Sequence, residues 1–194
     1  MTKLIDFYFD FISPYSYLAY NKLKFLNKDN KININYKPIL LGGLHNLSGI
    51  TPPAFNERKM KNMKNDCELI ANKNNIMFKW NVKFPINSLY LMRGYLIIND
   101  DLKENYFDSC FDAYWKDNVD IADEKNIAII LNNIGINKEN FFDGIKDLKI
   151  KERLKDLTKK AFDKDIFGAP TFVVNNKIFW GQDRLDYALD EYKA

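Results

Sequence analysis

The sequence predicts an α/β fold in which a small sheet, drawn from both ends of the chain, is interrupted by an inserted all-helical domain. Three observations carry this. Residues 3–36 read strand, helix, strand; residues from Phe55 to about Asp165 read almost wholly helical; and strand signals return only at residues 171–180.

Lys3 to Phe11 alternates, with Ile5, Phe7, Phe9 and Phe11 on one face, which is a strand pattern reinforced by aromatic content. It ends at Ser13-Pro14, where serine suits a helix N-cap and proline the first helical position. Tyr17, Leu18, Leu23 and Leu26 continue that helix. After the polar turn Asn27 to Lys31, Ile32, Ile34 and Tyr36 form a second strand, for which a parallel crossover is expected. Gly42-Gly43 and the residues through Gly49 read as a loop leading to Thr51-Pro52-Pro53. Helices are expected over Phe55 to Asn74, Asn87 to Ile98, Asp101 to Trp115, Asp123 to Ile134 (stopped by Gly135) and Lys138 to Phe162, the last broken near Gly144 or Leu148. Thr171 to Val174 and Lys177 to Trp180 flank Asn175-Asn176, a hairpin turn dipeptide. A terminal helix starts near Gly181-Gln182-Asp183 and runs through Leu185, Ala188 and Leu189. This order is that of a thioredoxin-like fold: residues 1–43 and 157–194 form its two parts, and residues 44–156 the inserted helical domain.

Composition narrows the function classes. The 194 residues are 46% hydrophobic, enough for a core, and 29 basic against 26 acidic side chains leave a net charge of +3, which gives no footprint for nucleic acid. The mixed charges of Lys146 to Lys164 alternate with Ile145, Leu148, Leu154, Leu157 and Ala161 at helical spacing, a solvated helix face. No apolar run is long enough to span a bilayer, and the first residues lack signal-peptide character, so a cytoplasmic protein without membrane contact is expected. Cys67 and Cys110 fall in step with apolar neighbours on their helices and read as buried structural thiols; one histidine and no Cys/His cluster argue against a metal.

Three segments far apart in sequence would meet in such a fold. Ser13-Pro14-Tyr15-Ser16 has the spacing of a CxxC turn but holds serine at both sulfur positions, so disulfide exchange is excluded there. A thiolate brought by a ligand would be favoured by the helix N-terminus and a hydroxyl donor; read alone, Ser13 is an ordinary N-cap. Phe167-Gly168-Ala169-Pro170-Thr171-Phe172 suggests a cis Ala169-Pro170 bond with the Ala169 N–H and C=O turned outward for an extended peptide; read alone, it is a loop entering a strand. Trp180-Gly181-Gln182-Asp183-Arg184 offers open N–H groups for a carboxylate and Asp183 for an ammonium, the two charges of a γ-glutamyl end; alternatively Asp183 caps the terminal helix.

Residues Phe7 to Ala19 (Phe-Tyr-Phe-Asp-Phe-Ile-Ser-Pro-Tyr-Ser-Tyr-Leu-Ala), Phe167 to Phe172 and Phe179 to Asp186 resemble the 2-hydroxychromene-2-carboxylate isomerases, which belong with the kappa-class glutathione transferases among DsbA-like thioredoxin folds. Leu40-Leu41-Gly42-Gly43, Pro52-Pro53, Arg58-Lys59, Asp66, Pro85, Asn87 and Arg93 also fall where that family has similar motifs. The resemblance implies glutathione as cofactor and Ser13 as the catalytic residue contacting its sulfur. It also implies that Ala169, with Pro170 behind it, bonds the cysteinyl unit, that Gly181, Gln182 and Asp183 hold the γ-glutamyl end, and that Lys59 lies near the cofactor. A homodimer is expected on the same ground. The chain departs from the kappa-class pattern at Ile50, where asparagine precedes the double proline, and at Asn62, where tyrosine follows the lysine.

The expected reaction is isomerisation of an aromatic ylidene-pyruvate-like substrate by reversible thiolate addition. The alternatives are a transferase that stops at the conjugate and a non-catalytic glutathione- or peptide-binding module. Tyr15, Trp80, Phe84 and Tyr114 are candidates for the aromatic pocket or for core. His45, in the loop after Gly42-Gly43, is a candidate for a substrate carboxylate or an ordinary surface histidine.

Overall fold

The computed structural model describes residues 3–29 and 31–194. Strand β1 (Ile5–Phe9) leads through a tight turn into α1 (Pro14–Leu26) and then β2 (Ile34–Pro38); β3 (Thr171–Val174) and β4 (Lys177–Trp180) close the sheet. The strand order is β2-β1-β3-β4, with β1 parallel to β2 and antiparallel to β3, and β3 antiparallel to β4. Asn175 and Asn176 both take positive φ (49° and 63°), the conformation a two-residue hairpin demands.

β1 is central and buried on both sides. Ile5, Phe7 and Phe9 join the main core, where Phe7 stacks on Phe172 with ring centroids 4.9 Å apart; Tyr8 faces a second cluster with Ile39, Leu44, Ala161 and Ile166. The alternation in the sequence therefore marks the larger of two apolar faces, not an apolar face against a wet one.

Between β2 and β3 the chain is helical: α2 (Leu41–Ser48), α3 (Glu57–Lys73), α4 (Leu89–Tyr95), α5 (Lys103–Trp115), α6 (Glu124–Asn133), α7 (Lys138–Gly144) and α8 (Leu148–Phe162), with α9 (Leu185–Lys193) ending the chain. Asn56, Asp123, Asn137 and Asp147 each cap the helix that follows through a side-chain oxygen. None of these described helices is long and apolar enough to cross a membrane. The boundaries expected at 43/44 and 156/157 fall inside α2 and α8. Phe107 of α5 packs 4.5 Å from Phe9, 4.4 Å from Tyr20 and 4.8 Å from Tyr36 between ring centroids, so inserted helix and sheet share one core.

One expectation is corrected. Gly42-Gly43 and the residues to Ser48 are helix, not loop. Leu40 at the N-cap offers no side-chain bond; the α2 start is held instead by Asp10, whose Oδ2 accepts the Leu41 N–H at 2.8 Å, and by Thr158 Oγ1, which accepts the Leu40 N–H at 2.9 Å. Both partners are remote in sequence, which is why local signals miss the helix.

Close packing at α4 gives a test of this core. A Cβ on Gly94 would lie 2.3 Å from both Phe141 Cε2 and Tyr106 Oη. Gly94→Ala should lower stability by about 1–3 kcal/mol through overpacking, read as a lower urea midpoint at unchanged m-value.

Candidate active site

The site begins where β1 ends. Asp10 is fully buried; its main-chain oxygen accepts the Ser13 N–H at 3.0 Å and its Oδ1 accepts the Ile12 N–H at 3.1 Å. Between them, the Phe11 N–H points to Met92 Sδ at 3.5 Å and the Phe11 carbonyl accepts the Trp115 indole N–H at 2.9 Å. The turn is thus gripped by its own carboxylate, by α4 and by α5.

Ser13 caps α1: its Oγ accepts the Ser16 N–H at 3.1 Å and donates to the Ala169 carbonyl at 2.9 Å, across 156 residues of sequence. Pro14 has no N–H and the Ser16 N–H is taken, so the Tyr15 N–H is the donor of the first turn left for a ligand. The Ala169-Pro170 bond is cis. Of the two Ala169 backbone groups expected to be free, the carbonyl is engaged by Ser13; the N–H makes no bond among the described residues.

The third segment joins through Pro170, whose carbonyl accepts the Gly181 N–H at 2.9 Å. Gly181 sits at φ 109°, ψ 152°, a region open essentially to glycine alone, and a Cβ there would stand 2.6 Å from Asp183 Oδ1. Gln182–Arg184 forms a 3-10 turn before α9, which has no side-chain cap; Asp183 pairs with Arg184 at 3.2 Å instead of capping.

Tyr15 links the turn to α3. Its hydroxyl donates to Asp66 Oδ2 at 2.8 Å, and it is held protonated by burial first, then by that bond, with Cys67, Asp66 and Asp183 adding negative potential. Asp66 and Asp183 therefore converge on one tyrosine from separate elements, so Asp66 joins the site residues proposed from the sequence. Lys59 lies seven residues earlier on α3, on the same face by helical periodicity and roughly 10 Å along the axis. It is exposed, with no ion pair among the described residues.

Other candidates stand elsewhere. Tyr114 is fully buried, its hydroxyl without a hydrogen-bond partner among the described residues, so it is core and no pocket wall. Trp80 and Phe84 pack on Trp115 with ring centroids 5.8 and 5.5 Å away. His45 sits in α2, not a loop, and burial lowers its pKa. Cys67 and Cys110 are buried, with thiol pKa values raised chiefly by burial, and the described residues hold no cluster able to bind a metal.

Residues 4–193 match the DSBA-like thioredoxin domain family. A 2-hydroxychromene-2-carboxylate isomerase of Sphingobium xenophagum is 30% identical over 99% of this chain and 98% of its own. The chain belongs to this isomerase family of DsbA-like thioredoxin folds. The kappa 1 glutathione S-transferase of Caenorhabditis elegans is 29% identical over 98% of this chain and 92% of its own. A solved 2-hydroxychromene-2-carboxylate isomerase superposes with a TM-score of 0.88 at 26% identity, over 96% of this chain and 93% of that one. The relatives are enzymes, isomerases and glutathione transferases, and at that level so is this family member.

One feature of this member of the isomerase family is energetically costly. Burial pushes the Asp10 carboxyl up to about 6, against the opposing hydrogen bonds of Ser88, Leu41 and Ile12. A carboxyl raised on folding contributes stability that is fully present below its unfolded value and is lost as pH rises through about 6. Asp10→Asn should therefore gain stability relative to the parent protein as pH rises from about 4 to 7, by a total on the order of 3 kcal/mol, measured by denaturant melts across that range.

Proposed function

We propose that the protein is a glutathione-dependent isomerase that acts on an aromatic ylidene-pyruvate-like substrate. The observation that carries this reading is the bond from Ser13 Oγ to the Ala169 carbonyl, which sets a hydroxyl donor against a peptide-binding edge at the N-terminus of α1. The residues fit the tripeptide. Among the described residues the Ala169 N–H has no partner, and its carbonyl is held by a side chain that can turn away. Asp66 and Asp183 supply two carboxylates beside Tyr15 for an ammonium, and Lys59, with no ion pair among the described residues, supplies a cation for a carboxylate.

Glutathione held by Ser13, Ala169, Asp183 and Lys59 would supply a thiolate able to add reversibly to the conjugated double bond of the substrate. Ser13 turns its proton from the Ala169 carbonyl to the sulfur, exchanging a neutral hydrogen bond for a charge-assisted one roughly twice as strong. The same movement frees the Ala169 carbonyl to accept the cysteinyl N–H, so neither partner is left unsatisfied. The Tyr15 N–H and the α1 dipole add to the field that favours the thiolate. Neither Ser13 nor Ser16 can form a mixed disulfide, so the sulfur stays available to the substrate. Likeness to kappa glutathione transferases supports a second outcome at the same site, a conjugate that is released instead of reopened.

Glutathione at about a hundred times its dissociation constant should stabilise the protein by about 2.7 kcal/mol, seen as a rise in melting temperature. No shift at millimolar glutathione would remove both enzyme readings. Ser13→Ala should raise the thiol pKa of bound glutathione, lowering its thiolate absorbance at neutral pH; an unchanged value would take that role from Ser13. Assays with an aromatic ylidene-pyruvate and with a haloarene then separate isomerase from transferase.

A further inference from the structure

Strand β4 is the last in the sheet order β2-β1-β3-β4, so one of its sides has no strand beside it. The hairpin fixes which groups that side offers. In a two-residue hairpin the residues flanking the turn, Val174 and Lys177, exchange both ladder bonds, and the pattern alternates from there. Phe179 and then Gly181 face the hairpin partner, in keeping with the 2.9 Å bond from the Gly181 N–H to the Pro170 carbonyl. The N–H and C=O groups of Ile178 and Trp180 therefore point away from the sheet, and no turn or loop main-chain group among the described residues bonds them.

The side chains along this edge are apolar and open. Ile178 and Trp180 share one face of β4 and are 40% and 53% exposed; Phe167, 39% exposed, packs on Trp180 with ring centroids 4.8 Å apart. Lys177 and Phe179 lie on the other face, where Lys177 is drawn to Glu191 of α9 at 2.7 Å and Phe179 is half-buried against the main core. Sheet edges are commonly blunted by proline, bulges or charged side chains that refuse a neighbour. The opposite edge strand, β2, carries Lys37 and ends in Pro38, whereas the two outward residues of β4 are isoleucine and tryptophan.

We propose that the β4 edge pairs antiparallel with the β4 edge of a second copy of this chain, about a two-fold axis, joining the two four-stranded sheets into one. The register that uses every outward group sets Ile178 opposite the partner's Trp180 and Trp180 opposite the partner's Ile178, with Phe179 on the axis facing its own copy. Two aromatic–β-branched cross-strand pairs result, each favourable, and Phe167 backs the tryptophan of each. Lys177 then falls opposite Gly181, which has no side chain to obstruct it. Charge agrees with this approach. One end of the strand carries the Lys177–Glu191 pair at 2.7 Å and the other the Asp183–Arg184 pair at 3.2 Å, so each neutral pair meets a neutral pair. A foreign strand could meet the main-chain groups equally; a second copy is favoured because its own side chains complete both pairs. The interface is independent of glutathione binding at Ser13.

Cysteine variants of the intact protein test both the partner and the register. Facing residues of a non-hydrogen-bonded pair have Cα atoms about 4.5 Å apart, within disulfide range, so Phe179→Cys should link to its own copy on oxidation with copper–phenanthroline. Lys177→Cys should not, because the offset holds its two copies roughly 13 Å apart along the strands. Cys67 and Cys110 are buried and leave the background clean. Because Phe179 is partly core, sedimentation equilibrium supplies a second measurement that leaves it in place. The parent protein should be a dimer. Ile178→Glu, at an exposed position, should raise the dimer dissociation constant by at least about tenfold with an unchanged far-UV spectrum, since a carboxylate replaces the apolar side chain facing each Trp180. A monomeric parent, a dimer indifferent to Ile178→Glu, or equal cross-linking of Lys177→Cys and Phe179→Cys would overturn the proposal. Each of these outcomes leaves the stabilisation by glutathione, and so the reading of the Ser13 site, as it was.

Discussion

A carboxylate withdrawn from water with no cation beside it has to be satisfied by dipoles, and those that satisfy Asp10 come from different parts of the fold. Ile12 supplies one from the turn after β1, at 3.1 Å, and Leu41 one from the first turn of α2, at 2.8 Å. Neither segment is fixed by the sheet ladder. Each is placed by the need to reach the same two oxygens, because an unmet donor or a bare buried charge costs more than the ordering it demands. The site at Ser13 inherits its geometry from that requirement.

From this anchor the remaining contacts follow outward. With the Ser13 N–H pinned to the Asp10 carbonyl, Ser13 Oγ can serve both as cap for α1 and as donor to Ala169, which ties the start of β3 to the end of β1. Pro170 passes the restraint to Gly181, and the unusual backbone there leaves room for Asp183 to stand over the junction. Tyr15, one residue beyond the proline of the turn, carries it to Asp66 on α3. Four elements are thereby brought to one helix N-terminus by short contacts.

Much of this was legible in the sequence where signals are local. The aromatic alternation of β1, the Ser13-Pro14 helix start and the Asn175-Asn176 hairpin act within a few positions and announce themselves. So did the meeting of the serine turn with Ala169 and Gly181, because the order of strands and helices dictates it. What stayed hidden depends on partners far along the chain. Helix α2 takes its cap from Asp10, 31 residues earlier, and carries a glycine pair that reads as loop. Asp66 was marked only as a family motif position; its bond to Tyr15 spans 51 residues, so its neighbours on α3 give no hint of that partner. Tyr114 lies on a helix buried over much of its circumference, where aromatic spacing cannot tell core from pocket.

The charge on Asp10 also bears on why serine suits this turn. A cysteine thiolate at the head of α1 would be a resident negative charge within three residues of a carboxylate already costly to bury, and each would raise the pKa of the other. Serine leaves the turn neutral, and under the proposed function the two charges would coexist only while a thiolate ligand is bound. In the proposed reaction that repulsion is useful. The α1 dipole, the Tyr15 N–H and the Ser13 hydroxyl all pull the thiol pKa down, and a thiolate stabilised too far loses nucleophilicity. A buried negative charge behind the turn opposes them, keeping the sulfur anionic near neutral pH yet reactive enough to attack and stable enough to leave.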